Sequence, residues 1–306
     1  MSGGGLARRA RRTLRVWAIR AGLWIGAALP FRLAWGLGTA LGHLAHRVAR
    51  HDRELALRHL ALAMPQLSEA ERGAVVRDMF LHFAHAAVEW ARADEIGKDL
   101  ERYVEFPEEG AAALRAAMAE GRGIVCVTGH LGNWELLVRR MVKAGIPFTV
   151  IAARSWDRRL DELVEGFRLR GGVPTVYRED PAAGRKLLRS FRDGRALGIL
   201  TDQDTKVQNV FVPFFGHLAA TPRAAADLAL RFRAPVFMGV SRRKGPRPGD
   251  GYVVEWERIP YDPDPADREA EVIHITAAST AAIERVIRRS PSEWVWMHRR
   301  WKTKPP

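Results

Sequence analysis

The chain has 306 residues, of which 47% are hydrophobic and 27% charged, and it contains a single cysteine. This length and apolar content exclude an intrinsically disordered chain and are enough for one large domain or two modest ones. One cysteine excludes a disulfide framework and a cysteine-based zinc site, and it is typical of a reducing compartment. Cys126 lies in an apolar run, which favours a packed strand position over a nucleophile.

The net charge of +14 is concentrated at the two ends of the chain. Residues 1–51 hold nine arginines and no acidic residue, residues 285–306 hold seven lysines and arginines against one glutamate, and the remainder carries a net charge of −1. A nucleic-acid-binding protein usually has its basic residues on the face of the folded domain. Basic ends on a nearly neutral domain favour anionic lipid as the partner instead, and no nucleic acid is expected.

Residues 1–50 are predicted to anchor the protein to a membrane. Residues 21–42 follow an arginine cluster and hold one charge in 22 residues, but Pro30 and Arg32 interrupt them. A membrane span needs about 20 apolar residues, so the stretch is long enough, and whether it crosses the bilayer or lies on it stays open. A signal peptide fits poorly, and the preceding basic residues favour a cytoplasmic N-terminus. A helix pair of a soluble enzyme is the alternative.

Residues 51–122 are predicted to be helical and to pack on the region that follows. Ser68, with a glutamate three residues later, predicts the start of a long amphipathic helix. Three residues at i, i+3 and i+7 on this helix could in principle gather a metal: His82, His85 and Glu89. Such residues beside a core stripe more often hold ordinary edge positions, so no metal is expected.

From residue 123 to residue 306, strand and helix patterns alternate. Strands are predicted at residues 123–128, 147–152, 173–177, 196–201, 234–240 and 252–258. Helices are predicted at residues 133–144, 156–170, 181–193, 221–233 and 268–289. The alternation predicts an α/β fold with a mostly parallel central sheet flanked by helices. Open sheets of this kind bind ligands at the carboxyl ends of their strands.

The strongest candidate for chemistry is the segment Thr128-Gly-His-Leu-Gly-Asn-Trp-Glu135, directly after the first of these strands. Its two glycines permit a tight turn, and Asn133 is a good N-cap for the helix that follows. His130 on the turn and Glu135 in the first helical turn can then meet. A carboxylate beside an imidazole orients it and stabilises its protonated form, so the pair predicts a general base. Alone, this spacing is a weak signal because many helix starts contain such residues by chance.

Two further polar sites follow predicted strands, namely Arg154 and Asp202-Gln-Asp204. The carboxyl ends of parallel strands meet at one edge of a sheet, so these residues and His130 are expected on a common rim. A surface position at a helix start for Arg154, and turn formation for the aspartates, are the alternatives. The sequence contains no nucleophilic-serine elbow, phosphate-binding Walker loop or zinc-protease motif.

Together these motifs resemble those of the lipid A biosynthesis acyltransferases, the bacterial lauroyl and myristoyl transferases that acylate hydroxyacyl chains of lipid A precursors. The matching segments are Gly129-His-Leu-Gly-Asn-Trp-Glu135, Arg154, Asp202-Gln-Asp204, Val212-Pro-Phe-Phe-Gly216 with Ala220-Thr-Pro222, and Trp294-Val-Trp-Met-His-Arg-Arg-Trp-Lys302. They occur in order over nearly the whole chain. Phosphatidylinositol mannoside acyltransferases share the His-x4-acid core, so another glycolipid or a phospholipid is the alternative acceptor.

The resemblance implies a fold like that of glycerol-phosphate acyltransferases, with residues 123–306 as the catalytic region. It implies transfer of a fatty acyl chain from a thioester of acyl carrier protein, or of coenzyme A, to a hydroxyl of a lipid A precursor at the cytoplasmic face of the cell inner membrane. A metal, a nucleotide and other cofactors are not implied. A hydrolase using water as acceptor and a non-catalytic membrane-binding protein are the competing classes.

The resemblance also implies roles for individual residues. His130 would be the general base and Glu135 its partner. Arg154 would stabilise the oxyanion or bind a phosphate. The other substrate-binding candidates are Asn133, Asp202, Asp204 and Arg223. Residues 294–302 interleave tryptophans with basic residues, which favours a platform at the lipid headgroups or a phosphate contact over a solvated tail with packed aromatics.

Overall fold

The computed structural model describes residues 3–305, with side chains described from Ala10 onward. The N-terminal part is helical: α1 (Gly3–Ala28), α2 (Phe31–Val48), α3 (Arg50–Ala63), α4 (Glu69–Ala91), α5 (Ala93–Ile96), α6 (Leu100–Tyr103) and α7 (Glu108–Ala119). Helices α6 and α7 are separated by a short strand, β1 (Val104–Glu105), which the helical prediction for residues 51–122 did not include.

Strands and helices alternate after α7. The strands are β2 (Ile124–Thr128), β3 (Phe148–Ala152), β4 (Thr175–Tyr177), β5 (Ala196–Leu200), β6 (Asn209–Phe214), β7 (His217–Pro222), β8 (Val236–Arg243) and β9 (Tyr252–Ile259). The helices are α8 (Trp134–Lys143), α9 (Arg158–Arg170), α10 (Ala183–Arg192), α11 (Ala224–Phe232) and α12 (Arg268–Arg289). Each predicted strand and helix of this region is present, with bounds that differ by at most three residues.

Seven strands form one sheet in the order β1-β9-β8-β2-β5-β3-β4. Every neighbouring pair is parallel except β8 with β9, which are consecutive in the chain and joined by a short connection at residues 244–251. The predicted α/β fold with a mostly parallel, helix-flanked sheet is therefore confirmed. Strands β2 and β5 lie side by side at the centre, which puts their carboxyl ends next to each other.

An antiparallel hairpin formed by β6 and β7 lies outside this sheet and was not predicted. Pro213 in β6 argues against a central strand, but a two-stranded hairpin has free edges on which a proline is tolerated. The helix expected from residue 221 therefore begins only at Ala224, because β7 continues to Pro222.

Helices cover both faces of the sheet, and successive side chains of β2 pack alternately against the helices of one face and of the other. Ile124 and Cys126 pack with α7, α8 and α9 on one face, whereas Val125 and Val127 point to α11 and α12 on the other. Cys126 is fully packed, and burial raises the pKa of its thiol well above the usual range, as expected for an inert strand residue.

Helices α1 and α2 lie against α4, and α2 approaches it closely at two glycines. A Cβ atom at Gly38 or Gly42 would lie 2.9 Å from a side-chain carbon of α4, so larger residues there would push the helices apart. The guanidinium of Arg92 donates to the carbonyls of Gly26 and Ala27, which the C-terminal end of α1 leaves without helical partners. Both helices are thus tied to α4.

The other side of α2 is exposed and apolar. It presents a stripe of aliphatic side chains at helical spacing, formed by Leu33, Leu37, Leu41, Leu44 and Val48. Within residues 3–305, no helix combines the length and the apolar character that crossing a membrane requires. The predicted membrane association of residues 1–50 stays a prediction.

Candidate active site

The carboxylate of Asp202 holds the side chain and the backbone of His130 at the carboxyl ends of β2 and β5. His130 Nδ1 lies 2.8 Å from Asp202 Oδ1, and the His130 backbone N–H donates to Asp202 Oδ2 at 2.6 Å. A carboxylate only accepts, so Nδ1 carries the hydrogen and Nε2 of the neutral imidazole is left as the acceptor. The side chain of His130 is 27% exposed and that of Asp202 1%, so the imidazole faces outward from a buried carboxylate.

The local sequence explains this contact. The backbone N–H of Thr201 donates to the carbonyl of Thr128, which continues the β2–β5 pairing past the last strand residues. A Cβ atom at Gly129 would lie 3.0 Å from Asp202 Oδ2, so glycine at this position gives the carboxylate room to reach the His130 backbone.

Trp294 fixes Asp202 from the other side. Its indole N–H donates to Asp202 Oδ2 at 2.8 Å, and its side chain is fully buried. The backbone N–H of Gly132 donates to the carbonyl of Glu293 at 3.3 Å, so the C-terminal segment also holds the loop that carries His130. Burial raises the pKa of Glu293 to about 7.

The prediction that the tryptophans of residues 294–302 form a headgroup platform is wrong. Trp294 and Trp296 are completely buried, and Trp301 is nearly so. Arg300 is buried too, and its guanidinium donates to the hairpin at Ala220 and Thr221. These side chains have packed partners inside the protein, so the tryptophans brace the site instead of facing a lipid. Arg299 and Lys302 are exposed, and the phosphate contact expected of this segment stays a prediction.

Asp202 is ionised despite its burial. Burial alone would raise its pKa, but the attraction of His130 and the hydrogen bonds from His130 and Trp294 outweigh it, and the pKa lies below the usual value. A buried carboxylate that stays charged favours the protonated form of the adjacent imidazole. This is the electrostatic arrangement that a histidine base needs when it takes up a proton.

The expected contact between Glu135 and His130 is corrected by the structure. Glu135, in the first turn of α8, receives hydrogen bonds at 2.6–3.2 Å from the guanidinium of Arg168 on α9. Both side chains are largely buried, and a guanidinium fork satisfies a carboxylate better than an imidazole edge does. The carboxylate that reaches His130 is that of Asp202, for which the sequence predicts a role in substrate binding.

The other predicted substrate-binding residues are mostly engaged by the protein itself. Asn133 caps α8 through a hydrogen bond from the Leu136 backbone N–H, and its amide group is directed at Glu89. The carboxylate of Asp204 accepts from the backbone and hydroxyl of Thr303 and is buried.

The two predicted arginines differ from each other. Arg223 is held by the carboxylates of Asp227 and Glu269, whose hydrogen bonds raise its pKa. Arg154, at the end of β3, stacks on the ring of Tyr177 at 3.7 Å, and its side chain is 46% exposed. Its position at a strand end agrees with the expected rim, and its role there stays a prediction.

The three residues of α4 that could have gathered a metal have separate partners. His82 contacts the carbonyl of Gly132, the ring of His85 stacks on Trp35 at 3.9 Å, and Glu89 pairs with Arg243. Within residues 3–305, no three His, Cys, Asp or Glu side chains group closely enough to hold a metal ion.

Two apolar spaces adjoin the loop that carries His130. A groove of about 240 Å³ lies between α4, α8 and α9 and is lined mainly by Phe83, Ala86, Ala87, Trp90, Trp134 and Val164. A narrow inner cavity of about 30 Å³ lies between α8 and the sheet. Trp134 and Glu135 line both spaces, and the ring of Trp134 meets the imidazole of His130 edge-on at 5.1 Å.

Sequence reasoning missed three partners at this site: Asp202 as the partner of His130, Trp294 behind it, and Arg168 opposite Glu135. Asp202 was already on the expected rim, but nothing in one sequence shows that β5 is the neighbour of β2. Arg168 lies on the predicted helix at 156–170, with no local signal to pair it with α8.

A histidine–aspartate pair at the strand ends of an open α/β sheet, beside apolar spaces, is typical of an enzyme with an apolar substrate. Comparison with known families makes this specific. A model of the bacterial lipid A biosynthesis acyltransferase family matches residues 4–303, and the chain belongs to this family. The protein is therefore an acyltransferase.

Individual relatives agree with this assignment. The chain is 29% identical over 292 residues to the lipid A biosynthesis lauroyltransferase of Escherichia coli K12, covering 92% of this chain and 90% of the relative. It is 28% identical to the palmitoleoyltransferase of the same organism, covering 92% and 89%. A phosphatidylinositol mannoside acyltransferase of Mycolicibacterium smegmatis is 28% identical over 194 residues, covering 61% of this chain and 60% of the relative.

The two carboxylates near His130 are expected to differ in what their loss does. Asp202→Asn should lower kcat at least 10²-fold, because an amide can donate to Nδ1 and reverse the imidazole tautomer. Glu135→Gln should lower the free energy of unfolding by about 3–5 kcal/mol, because it leaves the buried guanidinium of Arg168 without a charge partner. Steady-state acyl transfer and thermal unfolding, measured on each variant, separate the two effects.

The matched control is Asp193→Asn, an exposed aspartate in the turn after α10, which should change neither quantity. Near-normal kcat for Asp202→Asn would contradict the pairing. The pairing would also be contradicted if Glu135→Gln lowered kcat as much as Asp202→Asn does while its stability stayed unchanged.

Proposed function

We propose that the enzyme transfers a fatty acyl chain from an acyl thioester to a hydroxyl group of a lipid A precursor, with His130 as the general base. Acyl carrier protein is the proposed carrier of the thioester, and coenzyme A is the alternative. The observation that supports the mechanism most directly is the contact of His130 Nδ1 with a buried aspartate, which leaves Nε2 free to face a substrate.

The proposed reaction proceeds without a covalent enzyme intermediate. His130 Nε2 takes the proton of the acceptor hydroxyl as its oxygen attacks the thioester carbonyl carbon, and a tetrahedral oxyanion forms. When this tetrahedral oxyanion collapses, the new C–O bond is kept and the C–S bond of the thioester breaks. The thiol leaves with the proton that the imidazolium returns, so the products are an ester and a free thiol. Asp202 stabilises the imidazolium during this step.

The apolar spaces beside His130 support an acyl substrate. The groove between α4, α8 and α9 opens beside the loop that carries His130, residues 129–133, which is called the catalytic loop below. Its lining is almost wholly apolar, as burial of a hydrocarbon chain requires. The inner cavity, lined by Leu137, Val138 and Met141, begins behind Trp134. An acyl chain that lies in the groove would reach this cavity if the ring of Trp134 turns aside.

We assign the acceptor phosphate to Arg154 ahead of Arg223. Arg154 is half-exposed at a strand end, and its guanidinium lies 3.8 Å from the carboxylate of Asp161, beyond hydrogen-bond distance, so the guanidinium fork is available to an anion. Arg223 already has two carboxylate partners at hydrogen-bond distance. Arg12 on α1 lies over Trp156 in the segment that follows Arg154, which adds positive charge near the same place.

A panel of acceptors tests the proposed function with the purified enzyme and an acyl carrier protein thioester. Mass spectrometry should show a new ester on a phosphorylated lipid A precursor, slower transfer to its dephosphorylated form, and little release of free fatty acid when no acceptor is present. Preferred transfer to a phosphatidylinositol mannoside would establish the alternative acceptor. Acceptor-independent release of fatty acid at the same rate would show a hydrolase.

We also propose that α1 and α2 hold the enzyme on the cytoplasmic face of the inner membrane by lying in the bilayer surface. The exposed aliphatic stripe of α2 provides apolar area, and α1 adds Arg11, Arg12 and Arg15, which are exposed and suit anionic headgroups. The opposite side of α2 packs on α4, so the stripe faces away from the domain. Membrane phospholipid is therefore the proposed partner of this surface.

The vesicle-binding experiment compares two pairs of exposed leucines. Leu37→Gln with Leu41→Gln should weaken binding to vesicles of phosphatidylcholine and phosphatidylglycerol about tenfold or more per residue, because each leucine loses its burial in the lipid. Leu169→Gln with Leu218→Gln, at two leucines of similar exposure elsewhere on the surface, should have no effect. If the variant with Leu37→Gln and Leu41→Gln binds the vesicles as tightly as wild type in high salt, the proposal that α2 lies in the membrane surface is wrong.

A further inference from the structure

A carboxylate deep inside the protein, that of Glu89 on α4, receives five hydrogen bonds. Oε1 accepts from Tyr103 and Arg243, each at 2.8 Å, and Oε2 accepts from Arg243 at 2.9 Å, Tyr252 at 2.5 Å and Asn133 at 3.1 Å. Glu89 is 0% exposed. The donors come from four different parts of the chain, so this carboxylate joins α4 to α6, to β8, to β9 and to the catalytic loop.

Burial keeps the donors of this cluster in the form that donates. Burial, together with the negative charge of Glu89, raises the pKa of both Tyr103 and Tyr252, so each retains its O–H. A buried ion pair usually adds little to stability compared with apolar residues of the same size. Full pairing of every group in such a cluster instead fixes one arrangement of the elements that it joins.

The amide of Asn133 carries this arrangement to the start of α8. Because Glu89 only accepts, the NH₂ group of Asn133 must point at it, which leaves the amide oxygen for the Leu136 backbone N–H at 3.1 Å. Ser241 holds the backbone of the same residue, accepting from its N–H at 3.1 Å and donating to its carbonyl at 2.8 Å. Asn133 is thus fixed by both its side chain and its backbone.

A second residue of α4 fixes the loop one position nearer to His130. His82 Nε2 lies 3.1 Å from the carbonyl oxygen of Gly132. Burial and the charge of Arg243 lower the pKa of His82 to about 3, so it is neutral and donates an N–H to this carbonyl. Gly132 has φ +61°, and a Cβ atom there would lie 1.6 Å from the carbonyl oxygen of Ser241, so the backbone is packed with no room to shift.

We propose that Glu89 and Arg243 are positioning residues for the acyl transfer, which set the place of His130 through Asn133 without touching either substrate. Residues 132 and 133, which α4 holds, follow His130 by two and three positions, and Asp202 holds His130 itself. The imidazole is therefore placed between two anchors, one on β5 and one on α4. The inference rests on the proposed function only in taking His130 as the base.

Exchange of donor and acceptor between positions 89 and 133 tests the role directly. Asn133→Asp sets one carboxylate against another, and Glu89→Gln leaves Arg243 without its charge partner. Each single change should lower kcat about 10- to 100-fold with KM for both substrates within about twofold, since a displacement of about 1 Å at a catalytic group costs that much. Combining them restores one carboxylate and one amide in contact and keeps one negative charge in the cluster with Arg243, so kcat of the double variant should rise above that of either single variant, to within about tenfold of wild type.

Asn133→Ser keeps the test informative if Asn133→Asp and Glu89→Gln, which change the charge of the cluster, fail to fold. Serine also caps helices, so α8 keeps its N-cap while the bond to Glu89 is lost. This variant should unfold within a few degrees of wild type and still lose kcat about tenfold or more. The matched control is Asp267→Ser, the same kind of exchange at the exposed N-cap of α12, which should leave kcat unchanged.

A substrate-independent readout separates this inference from the proposed function. The NMR signals of the His130 ring should shift in each single variant and return towards wild type in the double variant, whichever lipid is the acceptor. A double variant no more active than the single variants, with unchanged His130 signals throughout, would overturn the positioning role. Loss of kcat in strict proportion to the unfolded fraction would do the same.

Discussion

The hydrogen bonds between His130 and the buried carboxylate of Asp202 are the interaction on which the rest of the site depends. They exist because β2 and β5 are parallel neighbours whose carboxyl ends meet, and because Gly129 leaves room for the carboxylate. Trp294 supplies a further hydrogen bond to Asp202, so the carboxylate stays charged although water is excluded. A charged, immobile acceptor behind Nδ1 makes Nε2 a better base and leaves it facing outward.

The supports of this contact come from both ends of the chain. The C-terminal segment after α12 contributes Trp294 and pairs with the loop at Leu131, and α4 contributes His82 and Glu89. The same helix α4 carries α2, whose Trp35 stacks on His85 and lies over Arg243. The proposed membrane surface and the loop that carries His130 are therefore supported by the same helix, on adjacent faces of it.

Much of the architecture could be predicted from the sequence because strands and helices that alternate leave a strong apolar pattern. The residues of the rim were found in the same way, since polar groups directly after buried strands have few structural reasons to be there. Their pairing was not predictable: Glu135 is five residues from His130 and Asp202 is 72, yet the order of strands brings the distant one close. The tryptophans near the C-terminus were misinterpreted because a pattern of aromatic and basic residues is the same whether the aromatic rings pack inward or face a lipid.

The most direct test of the account is the tautomer of the His130 imidazole, read from the ¹⁵N chemical shifts of histidine-labelled enzyme, with a His130→Gln sample to assign the signals. The hydrogen bond to Asp202 predicts that the neutral form of the ring has its hydrogen on Nδ1 and a bare Nε2, and in Asp202→Asn the neutral ring is expected to carry the hydrogen on Nε2. A wild-type ring with its hydrogen on Nε2, or a tautomer that does not change when Asp202 is replaced, would contradict the central claim.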